Sequence, residues 1–473
     1  MSDTLVAPNG FIERTRGLLR RALADVVSVA SRRPPSLRPD LPDEDIERLR
    51  VQIDECLEAS GGEGQARANA ANLGRTYLNL NATGRQRFFA LLTEDYGVNR
   101  SRLDAAMDAV RDAGGGNGAY ARAVGELRNV LVPPRLTLLR KFNGLERGIK
   151  FVIDMRADLL DLTRENPEFR AIDGELRTLL HDWFDVGFLQ LQRITWSAPA
   201  SLLEKLIAYE AVHEIRSWND LKHRLESDRR CYAFFHPSMP DEPLIFVEVA
   251  LVNGIAANVQ KLLDTEGGDR VEPAQANTAI FYSISNAQKG LAGVGFGDFL
   301  IKRVVDDLSH ELPNVKTFST LSPIPGFRRW LEERVADGAD LLTHEEEDAL
   351  AELLTGDDET PPLGAALAIA DWPQNEALDG VLKPILLRLA AGYLLYQRRD
   401  GGRALDPVAH FHLSNGARVE RINWHGDLSA KGLKQSAGLM VNYLYALDRI
   451  EANHETYVGG GDIPASSGVR NLV

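Results

Sequence analysis

The sequence predicts an α+β protein: an all-helical bundle domain over residues 1–185, then an α/β domain with a helical insertion over residues 186–473. Three observations predict it. Apolar residues recur at helical spacing through the first part, interrupted only by short breakers. Apolar runs of strand length begin after about Phe188. Between Ala279 and Phe327 the chain reads as strand, glycine-rich loop, helix and strand, which is a βαβ unit.

Taken in order, residues 11–29 carry the first helical pattern. Ile46, Leu49, Ile53 and Leu57 form one apolar stripe, and Leu103, Met107 and Val110 another. Pro34-Pro35, residues 61–64, residues 114–118 and Pro133-Pro134 separate such segments, as expected of a bundle with short connections. Residues 202–211 continue the helical pattern. Residues 231–236 and 243–252 read as the strands of a hairpin with Asp241-Glu242 at its turn. Residues 279–285 read as a buried strand. Leu300, Val304, Leu308 and Leu312 mark the helix that follows, Pro313-Asn314 ends it, and residues 315–319 form the next strand. The prolines of residues 322–326 predict irregular backbone. Residues 331–405 read as a helical cover, with an acidic segment at 341–354, a polar loop at 356–362, and an apolar helix at 381–396 holding Pro384 in its first turn. Residues 408–413 and 421–424 read as the last strands, joined through Ser414-Asn415-Gly416, because Asn-Gly is a hairpin signal. Residues 433–450 close the domain, and a loose tail is expected from Gly459 onward.

Gly290, Gly293, Gly295 and Gly297 cluster where the βαβ strand gives way to its helix. Glycines there let backbone N–H groups approach a phosphate, and the helix dipole favours the negative charge. A close-packed turn would use the same residues. No Gly-Lys-Ser/Thr closes the loop, so it is no Walker A site. After Gly293-Val294-Gly295 the third glycine is misplaced for a dinucleotide fingerprint, and the next strand runs into Thr320-Leu321-Ser322 instead of an acidic residue. What remains resembles the coenzyme A diphosphate loop of the acetyltransferase-like fold.

Composition narrows the class. The chain has 473 residues, 44% of them hydrophobic and 26% charged, ordinary for a large globular core. A formal net charge of −14 argues against nonspecific nucleic-acid binding. Two cysteines, Cys56 and Cys231, rule out a disulfide framework and fit a reducing, cytoplasmic setting. No apolar run approaches the roughly 20 residues of a membrane span. Arg14, Arg16, Arg20 and Arg21 mildly resemble a transit peptide, but Glu13 and Asp25 favour an ordinary first helix. The terminal Arg470-Asn471-Leu472-Val473 carries no peroxisomal address.

Few residues stand out chemically. His410 and His412 alternate on the expected strand and so share a face. They are either a metal pair completed by His236, His425 or a carboxylate, or structural strand-end histidines. Ser322 follows a strand and precedes a rigid Pro-x-Pro turn, which can hold a hydroxyl in place. It can also cap the helix expected from Phe327. No Gly-x-Ser-x-Gly elbow surrounds it. Lys289, Lys302 and Arg303 are available to a phosphate. Asp298 at the helix start would compete for the same N–H groups.

Taken together, residues 230–252, 279–330 and 406–445 resemble the malonyl-CoA decarboxylase family, most specifically in the strings FYSIS, FLIKRVV, LSPIPGF, FHL-x-NGA, RINW and GLMVNY. The resemblance implies an acetyltransferase-like catalytic domain and conversion of malonyl-CoA to acetyl-CoA and carbon dioxide, within malonate and fatty acid metabolism. It implies self-association of the helical domain into a dimer or tetramer. It places substrate binding on Ala292, Gly293, Val294, Gly295, Phe296, Gly297 and Asp298, with Ser322 and His412 as catalytic residues that also touch substrate. Some members carry an acidic side chain where this chain has Gly295. No metal, cofactor, nucleic acid or membrane partner is expected. The chemistry is consistent: losing carbon dioxide leaves a thioester enolate, and placed hydrogen-bond donors must stabilise it. An acyltransferase of the same fold, or a coenzyme-binding sensor, would use the same coenzyme loop.

Overall fold

The computed structural model describes residues 37–58, 62–113, 117–184, 186–264, 271–295, 299–354, 361–399, 401–460 and 462–473. The first expected helix, the polar loop around residue 358 and part of the glycine loop lie outside them. Up to Trp183 every regular element described is helical. The Asp43–Glu58 helix opens on Asp43, Glu44 and Asp45, which complement its dipole, and buries Leu49, Ile53 and Cys56 on one face. Asn81 caps the Ala82–Glu94 helix by accepting from the Gly84 N–H. Tyr77, Phe88, Phe89 and Phe151 meet edge to face in the middle of this region. The Gly148–Leu162 helix is buried over most of its length, Lys150 and Arg156 included, because it packs on the bundle on one side and on the second part of the chain on the other.

The second part is built on an eight-stranded sheet: β1 (Gln190–Ile194), β2 (Arg229–Phe235), β3 (Ile245–Val252), β4 (Thr278–Asn286), β5 (Thr317–Thr320), β6 (Ser322–Pro323), β7 (Arg418–Asn423) and β8 (Met440–Leu444). β1 to β4 are antiparallel in sequence order. β4 and β5 are parallel, crossed over by the Phe299–Glu311 helix, so the βαβ unit read from the sequence is present. β8 then lies antiparallel to β5, β6 and β7. β5 touches β8 through the single pair Ser319 and Leu444, and the chain leaves the sheet at Leu321 before returning as β6. That break sets Ser322 at the end of the parallel pair.

Several expectations are corrected. The stretch expected as a strand at 408–413 is a helix, Pro407–Ser414. Asp406 caps it, accepting from the Val408 and Ala409 N–H groups, and Pro407 stands at its first position, both helix-start features. The Asn415-Gly416 pair stops that helix instead of turning a hairpin, with Gly416 at φ +78°. Pro384 sits inside the Glu376–Tyr396 helix, which starts earlier than expected. Ser322-Pro323 is a short strand, not irregular backbone. Residues 433–450 include β8, a buried strand that three other strands pair with. The tail is tied down: Ala465 bridges Val419, and a short helix, Ser467–Arg470, follows.

Candidate active site

Ser322 and His412 come together. Ser322 Oγ lies 3.1 Å from His412 Nε2 and 2.9 Å from Thr320 Oγ1. His412 Nδ1 lies 2.8 Å from the Tyr445 hydroxyl. The imidazole stacks on Tyr443, with centroids 4.6 Å apart and planes at 26°. His412 is 3% exposed and Ser322 6%. Burial with no compensating charge pushes the imidazole down to about 3, so the ring is neutral near pH 7. Its tautomer follows from the partners. Ser322 donates to Thr320 Oγ1, which leaves Ser322 Oγ as an acceptor. We therefore assign the proton to Nε2 and let Nδ1 accept from the Tyr445 O–H. The resulting chain runs Tyr445, His412, Ser322, Thr320, and Thr320 Oγ1 also accepts the Tyr443 N–H.

Asp406 holds the two halves of this pair in register. Its Oδ1 caps the His412 helix, and its Oδ2 accepts from the Gly326 N–H in the turn after Ser322. Burial raises the carboxyl above its ordinary value, opposed by these three N–H bonds. Ser322 caps no helix: the helix starting at Phe327 has Gly326 at its cap, without a side-chain bond.

The pair opens into a cavity of about 760 Å³ whose wall also includes Gly293, Val294 and Gly295. Gly293 sits at φ +71°, which an L side chain resists. Gly290 lies so close to the Gly148–Leu162 helix that a Cβ there would be 1.8 Å from the Ile153 carbonyl oxygen. From the same helix Arg156 donates to the Gly290 and Ala292 carbonyls at 2.7 and 2.8 Å, its Nε bound to Asp173. The glycine turn is thus braced by the helical region. Phe296, Gly297 and Asp298 lie outside the described residues.

The other candidates go elsewhere. Lys289 pairs with Asp161, and neither Lys302 nor Arg303 lines the cavity. His410 lines it but bonds Tyr457, not His412's partners. His425 pairs with Asp379, and His236 packs on Phe184. Among the described residues no three His, Cys, Asp or Glu groups are arranged to share a metal ion. Sequence reasoning missed Tyr445, Thr320, Asp406 and Arg156. Asp406-Pro407 is a legible helix start, and Tyr445 stands just past the end of β8, two residues after Tyr443, so both have local signals. Arg156 has none.

Comparison with known proteins is consistent over most of the chain. The malonyl-CoA decarboxylase C-terminal domain model matches residues 187–473, and the N-terminal domain model residues 96–184. The mitochondrial malonyl-CoA decarboxylase of Anser anser anser is 38% identical over 423 residues, spanning 86% of this chain and 84% of its own. That of Rattus norvegicus is 39% identical over 406 residues, spanning 83% and 82%. The malonyl-CoA decarboxylase structure from Rhodopseudomonas palustris superposes with a TM-score of 0.82 at 44% identity, covering 90% of this chain and 99% of that one. The structure from Agrobacterium vitis gives 0.78 at 40% identity, covering 90% and 99%. With a family model over more than half its length and relatives of this identity over more than four-fifths of it, the chain belongs to the malonyl-CoA decarboxylase family.

Proposed function

We propose that this protein decarboxylates malonyl-CoA to acetyl-CoA and carbon dioxide, with Ser322 and His412 as the catalytic residues and the turn at Ala292–Asp298 holding the coenzyme. The observation that carries the reading is the buried Ser322–His412 contact in a cavity that also contains the glycine turn. As the bond from the α-carbon to the carboxylate breaks, its electron pair enters the thioester as an enolate. The His412 Nε2–H is a placed donor in a dry site, where one such bond is worth roughly 2.7–4 kcal/mol of barrier. It then passes its proton to the α-carbon while Nδ1 takes one from Tyr445, so the ring stays neutral. Solvent restores the proton consumed in each turnover. Ser322 holds the imidazole in the free site; when substrate takes over the Nε2–H, the Ser322 hydroxyl turns from Thr320 to the departing carboxylate.

The helical region (1–185) is assigned to self-association, and residues 186–473 to catalysis. Its Arg100–Asp112 and Asn117–Val130 helices pack chiefly on each other and leave Met107 and Tyr120 exposed. A dimer or tetramer would cover that face. Two buried free thiols fit a reducing compartment, and we read the location as cytoplasmic. No helix of the described residues is long and apolar enough to cross a membrane. The test is purified protein with malonyl-CoA, chelator present and no acceptor, run in deuterium oxide. Acetyl-CoA carrying one methyl deuterium per turnover is expected. No acetyl-CoA without an added amine would point to an acyltransferase and overturn the reading.

A further inference from the structure

The substrate assigned above carries a diphosphate and a 3′-phosphate, and one glycine turn does not neutralise both. The cavity has a second feature on its wall. The Glu376–Tyr396 helix ends in a tight turn holding Arg398, Arg399 and Arg403. Arg398 bridges Ala404, and the Arg399 N–H donates to the Arg403 carbonyl at 2.9 Å. Gly401 and Gly402 take positive φ, +81° and +74°, which makes so short a turn possible. Arg399 lines the cavity that Ser322 and His412 open into.

Three arginines therefore stand within six positions of the chain, in a protein of net charge −14 where neutralising carboxylates are abundant. Among the described residues, none of the three has an ion-pair partner, and Nη1 of Arg398 is enclosed without any hydrogen-bond partner. All three lie close enough to Tyr457 to act on its hydroxyl. Tyr457 ties the turn to the site: its oxygen accepts the Ala404 N–H at 2.9 Å and lies 2.7 Å from His410 Nδ1. The turn also leads directly into Asp406 and the His412 helix. The described residues of the turn, on either side of residue 400, are held to the fold by these bonds.

We propose that this arginine turn binds a phosphate group of the coenzyme, as a second anchor besides the glycine turn. The inference rests on the coenzyme A thioester reading above. Planar guanidinium groups match phosphate oxygens two at a time. The departing carboxylate is the wrong ligand for them. A cation there would stabilise the ground-state charge that must be lost, and so slow the reaction. Arg399 and Arg403 are exposed, whereas Ser322 and His412 are buried. The anchor raises affinity without touching the reacting atoms.

The experiment compares the full chain with Arg399→Ala, Arg403→Ala and the double variant on three substrates: malonyl-CoA, its 3′-dephospho form and malonyl-pantetheine. On malonyl-CoA each single variant is expected to raise KM about tenfold, and the double variant more, with kcat within twofold. On malonyl-pantetheine, which has no phosphate of this kind, kcat/KM is expected to match the unsubstituted protein. If the dephospho substrate removes the variants' defect, the 3′-phosphate is the group bound; if the defect persists in full, it is the diphosphate. Equal losses on malonyl-pantetheine, or no change in KM anywhere, would overturn the proposal. Calorimetric titration with coenzyme A itself reads the same anchor without turnover. The arginine turn and the decarboxylase reading can therefore fail separately.

Discussion

Ser322 and His412 stand 90 positions apart in the chain, and their side chains meet at 3.1 Å in the interior. Neither is held by accident. Ser322 is fixed by the break between β5 and β6, and His412 by a helix whose cap, Asp406, also grips the turn after Ser322. Ser322→Ala and His412→Asn are each expected to lower kcat by roughly tenfold or more while coenzyme A still binds, since both remove contacts made in the transition state. The double variant should be no slower than the worse single one, because the pair acts as a unit. Near-normal turnover in either single variant would refute the assignment.

Tyr445 supports the assigned tautomer of His412 from the Nδ1 side. Its hydroxyl lies 2.8 Å from Nδ1. Tyr445→Phe keeps the ring, including its packing near Phe281, and removes that donor. The imidazole then loses its preference for the Nε2–H form. We expect kcat to fall about tenfold to a hundredfold with KM little changed. An unchanged kcat would mean that the tautomer is set by Ser322 alone.

Much of this was legible in the sequence, for physical reasons that also mark its limits. The βαβ unit was legible because β4 carries a buried apolar run, residues 279–282, and the crossover helix before β5 keeps its apolar residues at helical spacing. Ser322 was legible because prolines fix the backbone after it. The His412 helix was misread because eight residues, Pro407–Ser414, are too few to show a period, and Phe and Val favour strands. Asp406 carried the missing information as a cap. The brace from Arg156 was out of reach: it spans 134 positions to Gly290, and nothing local in either segment encodes a partner so distant.

That brace makes a prediction at Gly290. A methyl group there would sit 1.8 Å from a backbone oxygen of the Gly148–Leu162 helix, and backbone yields less readily than a side chain. Gly290→Ala should lift the glycine turn off its support, cost about 1–3 kcal/mol of stability, and raise KM for malonyl-CoA. Gly392, inside the Glu376–Tyr396 helix, has open space where its Cβ would go. Gly392→Ala should stabilise by about 0.5–1 kcal/mol and leave KM alone. Urea midpoints and steady-state kinetics on both variants check this. A Gly290→Ala protein with normal KM would show that the helical region does not position the coenzyme turn.

The neutral, buried state of His412 sets a pH dependence of stability. Its folded value is about 3, against 6.5 for the free side chain, and the cause is burial alone. Between those values the unfolded chain binds a proton that the folded one does not. Stability is therefore fully present above 6.5 and is lost as pH falls toward 3. At pH 5 this one group accounts for about 2 kcal/mol of the loss relative to neutral pH. His213, pushed down to about 4 mainly by burial, acts in the same direction. Chemical denaturation at pH 7 and pH 5 measures the total. His412→Asn isolates the share of His412, since asparagine does not titrate: the variant should lose about 2 kcal/mol less than the unsubstituted protein over that interval. The same argument predicts that kcat/KM shows no acid limb from His412 between pH 5 and 8. Equal pH sensitivity in the two proteins would mean that the imidazole is protonated in the fold. The assigned chain from Tyr445 to Ser322 would then be wrong, because a doubly protonated ring has no acceptor for the tyrosine hydroxyl.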